Sequence, residues 1–553
     1  MNLRLLTFVA LALLAAIPAQ AAKPKMRLVL QITVDQLRGD FVERFGDRFG
    51  KGGFRYFLDN GVHYNNAHYT HANTETAPGH ATLATGAPPA YHGIVGNDWL
   101  DRNTGTSIYN TSDDRHHILG EEPRPNKGVS PRNLKGSTFS DELIMSNAGE
   151  SRSFSVSVKD RGAILAGGHA GKAFWFSTRQ GTFVTSTYYY DEYPQWVSDW
   201  RSLRLADEYM GQDWELVLDH DSYAAADADD RPFESSPVGI GTTFPHRLDA
   251  DAPARFYNLL RLTPMGDELT LQFVKALIDA EEIGQSQNVD YLQISFSSPD
   301  YAGHFFGPSS LEYEDAVLRL DGVLEELFRH INKKIGLYRT LIVLSADHGG
   351  PEIPEHAAAL GIDAGRFPLD WFSNSNPLSK LLTARYGRDD LIVGHQHPYL
   401  YLNVHAIDEI DAEVAEVERF VAEQLTLTPG IALAVPTTDL MNGRIPDMPI
   451  QRMIRQNFDP ERSGHVHLVQ DQYWFLHSNQ GIRNLGIEQL PAVHGSPWRY
   501  DTYVPIMFVG PGISRRAVNR RVAPRDVAPT LSAWFGIKPP SGSTGEPLEE
   551  ILR

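Results

Sequence analysis

Strand and helix patterns alternate along most of this 553-residue chain and predict an α/β fold: a large, mostly parallel sheet flanked by helices and carrying two inserted subdomains. Three observations carry that expectation. Short apolar runs without strict alternation, such as Met26–Val34, Tyr291–Phe296 and Leu341–Leu344, read as strands buried on both faces. Between them lie amphipathic helices, Asp267–Ile283 and Leu311–Ile331, with apolar residues at helical spacing. Two long stretches then break the rhythm.

In order, residues 1–21 carry a basic start at Arg4, an apolar run from Leu5 to Ile17 and Ala19-Gln20-Ala21, the pattern of a secretory signal peptide. No later run of about 20 apolar residues is long enough to span a bilayer, so an exported protein of the periplasm or medium is expected. The first strand ends at Asp35. Helical stretches through Phe41 and Phe54 lead to an alternating segment, Val62–Tyr69, and then to a polar strand end running into a short helix, His71-Ala72-Asn73-Thr74-Glu75-Thr76-Ala77-Pro78-Gly79-His80. Pro78 suits a first turn, and Thr76 is expected just ahead of it as the N-cap. A loop from Thr104 to Lys135 precedes a helix capped by Thr138 with Asp141. The strand Phe154–Val158 ends at Lys159-Asp160-Arg161, and Ala173–Ser177 with Thr182–Tyr189 suggest a hairpin.

The predicted core comprises 22–189, 264–350 and 491–553, interrupted by insertion 190–263 and by an α+β insertion, 351–490, with a strand at Tyr399–Val404 and a helix at Val414–Gln424. A strand at Val504–Val509 and a helix within Val522–Phe535 close the core.

Composition narrows the chemistry. Cysteine is absent, which excludes disulfides and thiolate sites, so any metal rests on His, Asp or Glu. A formal charge of −19 argues against binding a nucleic-acid polymer, and an anionic substrate would need a local cluster of cations or metals.

In open α/β sheets, ligands bind beyond the carboxyl ends of the strands. Asp35, Lys159 with Arg161, Asp300 with His304, and Asp347 with His348 all fall at such ends. Asp300 and His304, four apart, share one face of a helical turn. Each cluster alone is equally a turn former or a solvated face, and His494 in its loop is not placed by spacing.

As an ordered set, Thr33-Val34-Asp35, Thr76-Ala77-Pro78-Gly79-His80, Thr85-Gly86, His92-Gly93-Ile94 with Asn97, Asp300 to His304, Asp347-His348-Gly349 and His494-Gly495 resemble the alkaline phosphatase superfamily. The likeness is to its single-chain bacterial phosphate-irrepressible branch, near the nucleotide pyrophosphatases and phosphodiesterases. It implies two Zn2+ per chain, one on Asp35, Asp347 and His348 and touching Thr76, the other on Asp300, His304 and His494. It also implies Thr76 as nucleophile, a phosphothreonine intermediate, and Asn97, Lys159 and Arg161 on the phosphoryl oxygens of small phosphate esters. A monoester dianion rewards the basic pair, whereas the family's diesterases lack it. A monomer is the favoured state.

The alternatives are a phosphodiesterase or nucleotide pyrophosphatase, and an inactive metal- or phosphate-binding protein. A sulfatase would need a C/S-x-P-x-R nucleophile motif that is absent. His395 with His397 and His465 with His467 could each share a face if extended, a pattern open to a third metal.

Overall fold

The computed structural model describes residues 25–125, 127–227, 229–235, 240–248, 253–372, 376–476 and 489–552; the predicted signal peptide lies outside them. The main sheet has nine strands, β1 Leu28–Val34, β2 Val62–His68, β3 Ser153–Ser157, β4 Lys172–Ser177, β5 Thr182–Val184, β6 Asp290–Phe296, β7 Thr340–Ser345, β8 Tyr503–Val509 and β9 Arg516–Val518. Their spatial order is β9-β2-β8-β7-β1-β6-β3-β4-β5. Strand β8 runs antiparallel to β7 and β2, and β5 antiparallel to β4; the remaining pairs are parallel. The predicted large, mostly parallel sheet is therefore present.

Every residue of β1, β6 and β7 is buried, including Gln31, Thr33 and Gln293, because helices cover both faces. Alternate side chains enter opposite cores. Leu28, Leu30, Ile32 and Val34 face the one shared with helices Pro264–Ala280 and Leu311–Lys334, while Val29, Tyr291, Leu341 and Val343 face the one shared with helix Val527–Phe535. The Thr138–Asp141 capping box is formed: the Thr138 side chain accepts from the Asp141 N–H, and Asp141 accepts from the Thr138 N–H.

Register brings the strand ends to one edge. Val34 pairs with Phe296, Thr33 with Ser345, and Ser295 with Ser157, so Asp35, Asp300, Asp347 and Lys159 all follow the same rim of the sheet.

Several expected boundaries move. The second strand of the hairpin stops at Val184, and the last helix starts at Val527, after a 3-10 turn at Pro524–Asp526. The strand expected over Tyr399–Val404 ends at Leu402, because Asn403 accepts from the Ala406 N–H and starts a helix at Val404. Within 104–135, strand Ser107–Tyr109 pairs with Asp98–Leu100. The described residues of 190–263 send Trp200, Trp214, Tyr223 and Phe256 into the main core, whereas 351–490 holds a second, four-stranded antiparallel sheet with a core of its own under helix Val414–Thr426.

Candidate active site

Helix α1, Thr76–Thr85, is buried along its whole length beside the sheet rim. Thr76 is its first residue, and the N-cap is Glu75, whose side chain makes no capping bond. This corrects the expectation that Thr76 caps the helix. The Glu75 carboxylate is instead drawn to the next loop, where its Oε2 accepts from the Asn97 N–H at 2.9 Å and from Asn73 Nδ2 at 3.0 Å. Asn97 then caps the helix from outside: its Oδ1 accepts from the Ala77 N–H at 2.9 Å. With Oδ1 engaged by the residue after Thr76, Asn97 keeps the two N–H donors of its Nδ2.

The ten residues singled out in the sequence gather at this rim. Arg161, in the first turn of helix Asp160–Gly167, donates to Thr76 Oγ1 at 3.4 Å. Lys159 Nζ lies 2.5 Å from Asp35 Oδ2 and 2.5 Å from Asp300 Oδ2. His304 and His494 approach Asp300 Oδ1 through Nε2 at 3.2 and 3.6 Å, and His348 Nε2 stands 3.4 Å from Asp35 and 3.3 Å from Asp347. The His348 and His494 rings stack with centroids 3.5 Å apart.

Each of these three imidazoles has Nδ1 against a backbone carbonyl, His304 on Ala492 at 2.7 Å, His494 on Thr74 at 2.9 Å and His348 on Gly349 at 2.9 Å. A carbonyl only accepts, so Nδ1 carries a proton and Nε2 is the atom each ring turns toward the carboxylates; burial opposes a charge on His348, but Asp347 and Asp35 outweigh it and push its pKa well above the ordinary imidazole value. His348 Nε2 and Asp347 Oδ2 are buried without a hydrogen-bond partner.

Charge points the same way. Burial and Asp300 push Asp35 upward, but Lys159 and His348 outweigh them and hold it well below the usual carboxylate range. Asp300 is likewise held low against burial by His304 and Lys159. Asp347, which contacts His348 and His80 rather than Lys159, is pushed up to about 7 by burial and by Asp35. Three buried carboxylates thus share fewer cations than they need. Nε2 atoms aimed at carboxylates, orphaned oxygens and this charge deficit together fit divalent metal binding by oxygen and nitrogen donors, an ion taking the place of the proton that the carboxylates draw onto His348.

Three groups converge closely enough to hold an ion among the described residues: Asp300 with His304 and His494, Asp35 with Asp300 and His348, and Asp35 with His80 and Asp347. Asp35 therefore belongs to two groups, and His80 enters the cluster. None of the groups includes His395, His397, His465 or His467. His397 instead has its ring nitrogens against the carbonyl oxygens of Leu476 and Gly495, and His465 accepts from the Leu402 N–H.

Sequence reasoning missed His80 and Gln36. His80 sits one helical turn after Thr76, a spacing that could have flagged it. Gln36 adopts φ 63°, donates from Nε2 to Asp300 at 3.0 Å and from its backbone to Asp347 at 3.2 Å, and packs where a Cβ on Gly303 would collide with its amide. A left-handed glutamine has no sequence signature.

The chain matches the family model of type I phosphodiesterases and nucleotide pyrophosphatases over residues 29–497. It is 34% identical to the alkaline phosphatase PhoV of Synechococcus elongatus, over 97% of this chain and 94% of that protein. It is also 34% identical to the alkaline phosphatase PafA of Elizabethkingia meningoseptica, over 96% of this chain and 95% of that protein. The crystal structure of alkaline phosphatase PafA superposes with a TM-score of 0.87 at 32% identity, covering 96% of this chain and 100% of that one. A second PafA structure carries substitutions at a threonine, an asparagine, a lysine and an arginine, separated in turn by twenty-one, sixty-two and two positions.

Proposed function

The chain belongs to the type I phosphodiesterase and nucleotide pyrophosphatase family, and from that membership we infer that it is an alkaline phosphatase hydrolysing phosphate monoesters, with Thr76 as the nucleophile. The observation that carries the monoester reading is the placement of Arg161 on the Thr76 hydroxyl with Lys159 two residues before it in the same rim. A monoester dianion has one more charge than a diester, and two adjacent cations reward that difference. The intervals between Thr76, Asn97, Lys159 and Arg161 equal those between the four positions altered in the PafA variant, which supports treating them as one functional unit.

Asp300, His304 and His494, which converge as one group, would hold one zinc. Asp35, Asp347 and His348 would hold the other: His348 Nε2 lies 3.4 Å from Asp35 and 3.3 Å from Asp347, although the converging groups join Asp35 to His348 through Asp300 and to Asp347 through His80. Two such ions supply Lewis-acid polarisation and lower the pKa of a hydroxyl or water near them. The chain's own residues do the rest. Thr76 Oγ1 forms the new bond to phosphorus as the ester oxygen departs, and water then cleaves the resulting phosphothreonine and releases phosphate. Arg161 and Lys159 offset the charge on the non-bridging oxygens while Asn97 Nδ2, held by the Ala77 N–H and Glu75, donates to one of them. Thr76 is 1% exposed, so little bulk water competes for its hydroxyl.

No described helix is long and apolar enough to cross a membrane. With the leader pattern in residues 1–21, export to the periplasm or medium as a monomer acting on small phosphate esters completes the reading. Metal analysis alongside rates on an aryl phosphate monoester and its diester tests it. Zinc near two per chain with a strong monoester preference is expected; a diester preference would assign the chain to the phosphodiesterases, and metal-free protein without turnover to an inactive binder.

A further inference from the structure

A cleft of about 240 Å³ extends the site sideways along the sheet rim, past β3 to the end of β4. Lys159, Arg161, Arg124, Arg179 and Arg261 line it, with Glu121 and Asp160 as its acids. This concentration of guanidinium groups stands out in a chain of formal charge −19.

Most of these charges are already matched. Glu121 pairs with Arg124 at 2.8 Å and lies 3.7 Å from Arg179, Asp160 accepts from the Tyr109 hydroxyl at 2.6 Å, and Lys159 lies between Asp35 and Asp300. Two guanidinium groups have no carboxylate partner among the described residues. One is Arg161, directed at Thr76. The other is Arg261, half-buried at the end of helix Pro253–Arg261, with a buried Nε that makes no hydrogen bond. Arg261 rests 5.6 Å from the centre of the Tyr301 ring, and Lys159 Nζ lies 4.9 Å from the same centre. Tyr301 follows Asp300 directly, so Arg261 is one aromatic ring away from the phosphoryl-binding cations.

A partly desolvated guanidinium with no acceptor is costly unless something binds it. We propose that Arg261 forms a second anion subsite, and that preferred substrates are phosphate monoesters whose leaving group carries a further carboxylate or phosphate. The proposal rests on the monoesterase reading: Arg161 takes the transferred phosphoryl group, and Arg261 takes the second anion on the departing portion. Arg124 and Arg179, tied to Glu121, raise the local potential without competing for the ligand.

The test compares kcat/KM for glycerol phosphate and 3-phosphoglycerate, which differ by a carboxylate at the far end, in the wild type, Arg261→Gln and Arg261→Lys. A charge-assisted contact of this kind corresponds to roughly a tenfold preference or more for phosphoglycerate, expressed through KM. Arg261→Gln should bring the ratio of the two esters toward one, and Arg261→Lys should restore part of it. A wild-type ratio near one, or a Gln variant that weakens both esters equally, would overturn the subsite while leaving the monoesterase assignment intact. Turnover of neither ester by the wild type would overturn both. If Arg261→Gln does not fold, the wild-type ratio and its decline at high salt decide the matter.

Discussion

Arg161 donates to the Thr76 hydroxyl across 3.4 Å, joining the first turn of one helix to the first residue of another. With Thr76 as the proposed nucleophile, the contact would put a fixed cation where negative charge develops on attack. Replacing Arg161 with Ala should lower kcat/KM for a phosphate monoester by about 10²- to 10³-fold, the cost of removing one such donor, and that for the matching diester by less than about tenfold. Steady-state rates on the two esters read the difference; an equal loss on both would sink the monoester assignment.

The side chains that would hold metal at this rim are carboxylates and imidazoles, three to each converging group, so none of the groups depends on the Thr76 hydroxyl. Thr76→Ala should therefore abolish turnover while zinc content stays at the wild-type level, and Thr76→Ser should keep part of the rate because a hydroxyl remains. Retained full activity in the Ala variant would move the nucleophile elsewhere.

Chelation addresses the three carboxylates. Asp35, Asp300 and Asp347 are each at most 1% exposed and share Lys159 and a few imidazoles for compensation. An ion that binds only the folded chain adds stability by mass action, about 4 kcal/mol at a thousandfold excess over its dissociation constant. Removing metal should lower Tm by several degrees and eliminate activity, and zinc should restore both. Unchanged melting after chelation would count against a resident metal.

Much of this site could be read in the sequence because parallel strands end in register. Once Val34, Phe296 and Ser345 are recognised as strand ends, Asp35, Asp300 and Asp347 must share an edge. What was not legible depended on backbone geometry or on partners distant in the chain. The role of Glu75 as N-cap, in place of Thr76, follows from a loop at Asn97 that supplies the capping oxygen from outside the helix. Gln36 reaches Asp300 and Asp347 only through a left-handed backbone. Arg261 lies at the end of a helix that showed no clear period within a stretch read as an insertion, and nothing in its neighbours forecasts contact with Tyr301.

Asp267 offers a pH-dependent prediction. Burial pushes its carboxyl up to about 7, against the hydrogen bonds from Ser298 and Ser297 that tie it to the start of the helix carrying Asp300 and His304. Between the ordinary value near 3.8 and about 7 the folded state holds a proton that the unfolded state has lost, so wild-type stability falls as pH rises, by up to roughly 1.4 kcal/mol per pH unit for this group, and levels off above 7. Asn cannot titrate. The stability difference between Asp267→Asn and wild type should shift in favour of the variant as pH rises from 4 to 7 and stay constant beyond, measured by denaturant unfolding across pH; a difference independent of pH would show that Asp267 does not titrate in this way.

Gly79 and Gly322 make a final contrasting pair, both in helices and with opposite expected signs. A Cβ built on Gly79 would stand 2.1 Å from the Asp347 carbonyl oxygen and 2.8 Å from its Cβ, a contact with backbone that no rotamer change relieves. Glycine at this position lets helix α1, which begins at Thr76, lie directly against the segment that carries Asp347 and His348. Gly79→Ala should cost at least about 2 kcal/mol through overpacking and should also lower zinc content and activity, because the displaced segment carries two of the proposed metal ligands. Gly322 lies in helix Leu311–Lys334 with nothing within 4 Å of its would-be Cβ. There the same substitution should stabilise by roughly 0.5–1 kcal/mol through lower chain entropy in the unfolded state and better helix propensity, with no change in turnover. Thermal unfolding, metal content and rates of the two variants, taken together, separate the effects: a Gly79→Ala protein with normal melting and full activity would show that helix α1 is not held against Asp347 as closely as described.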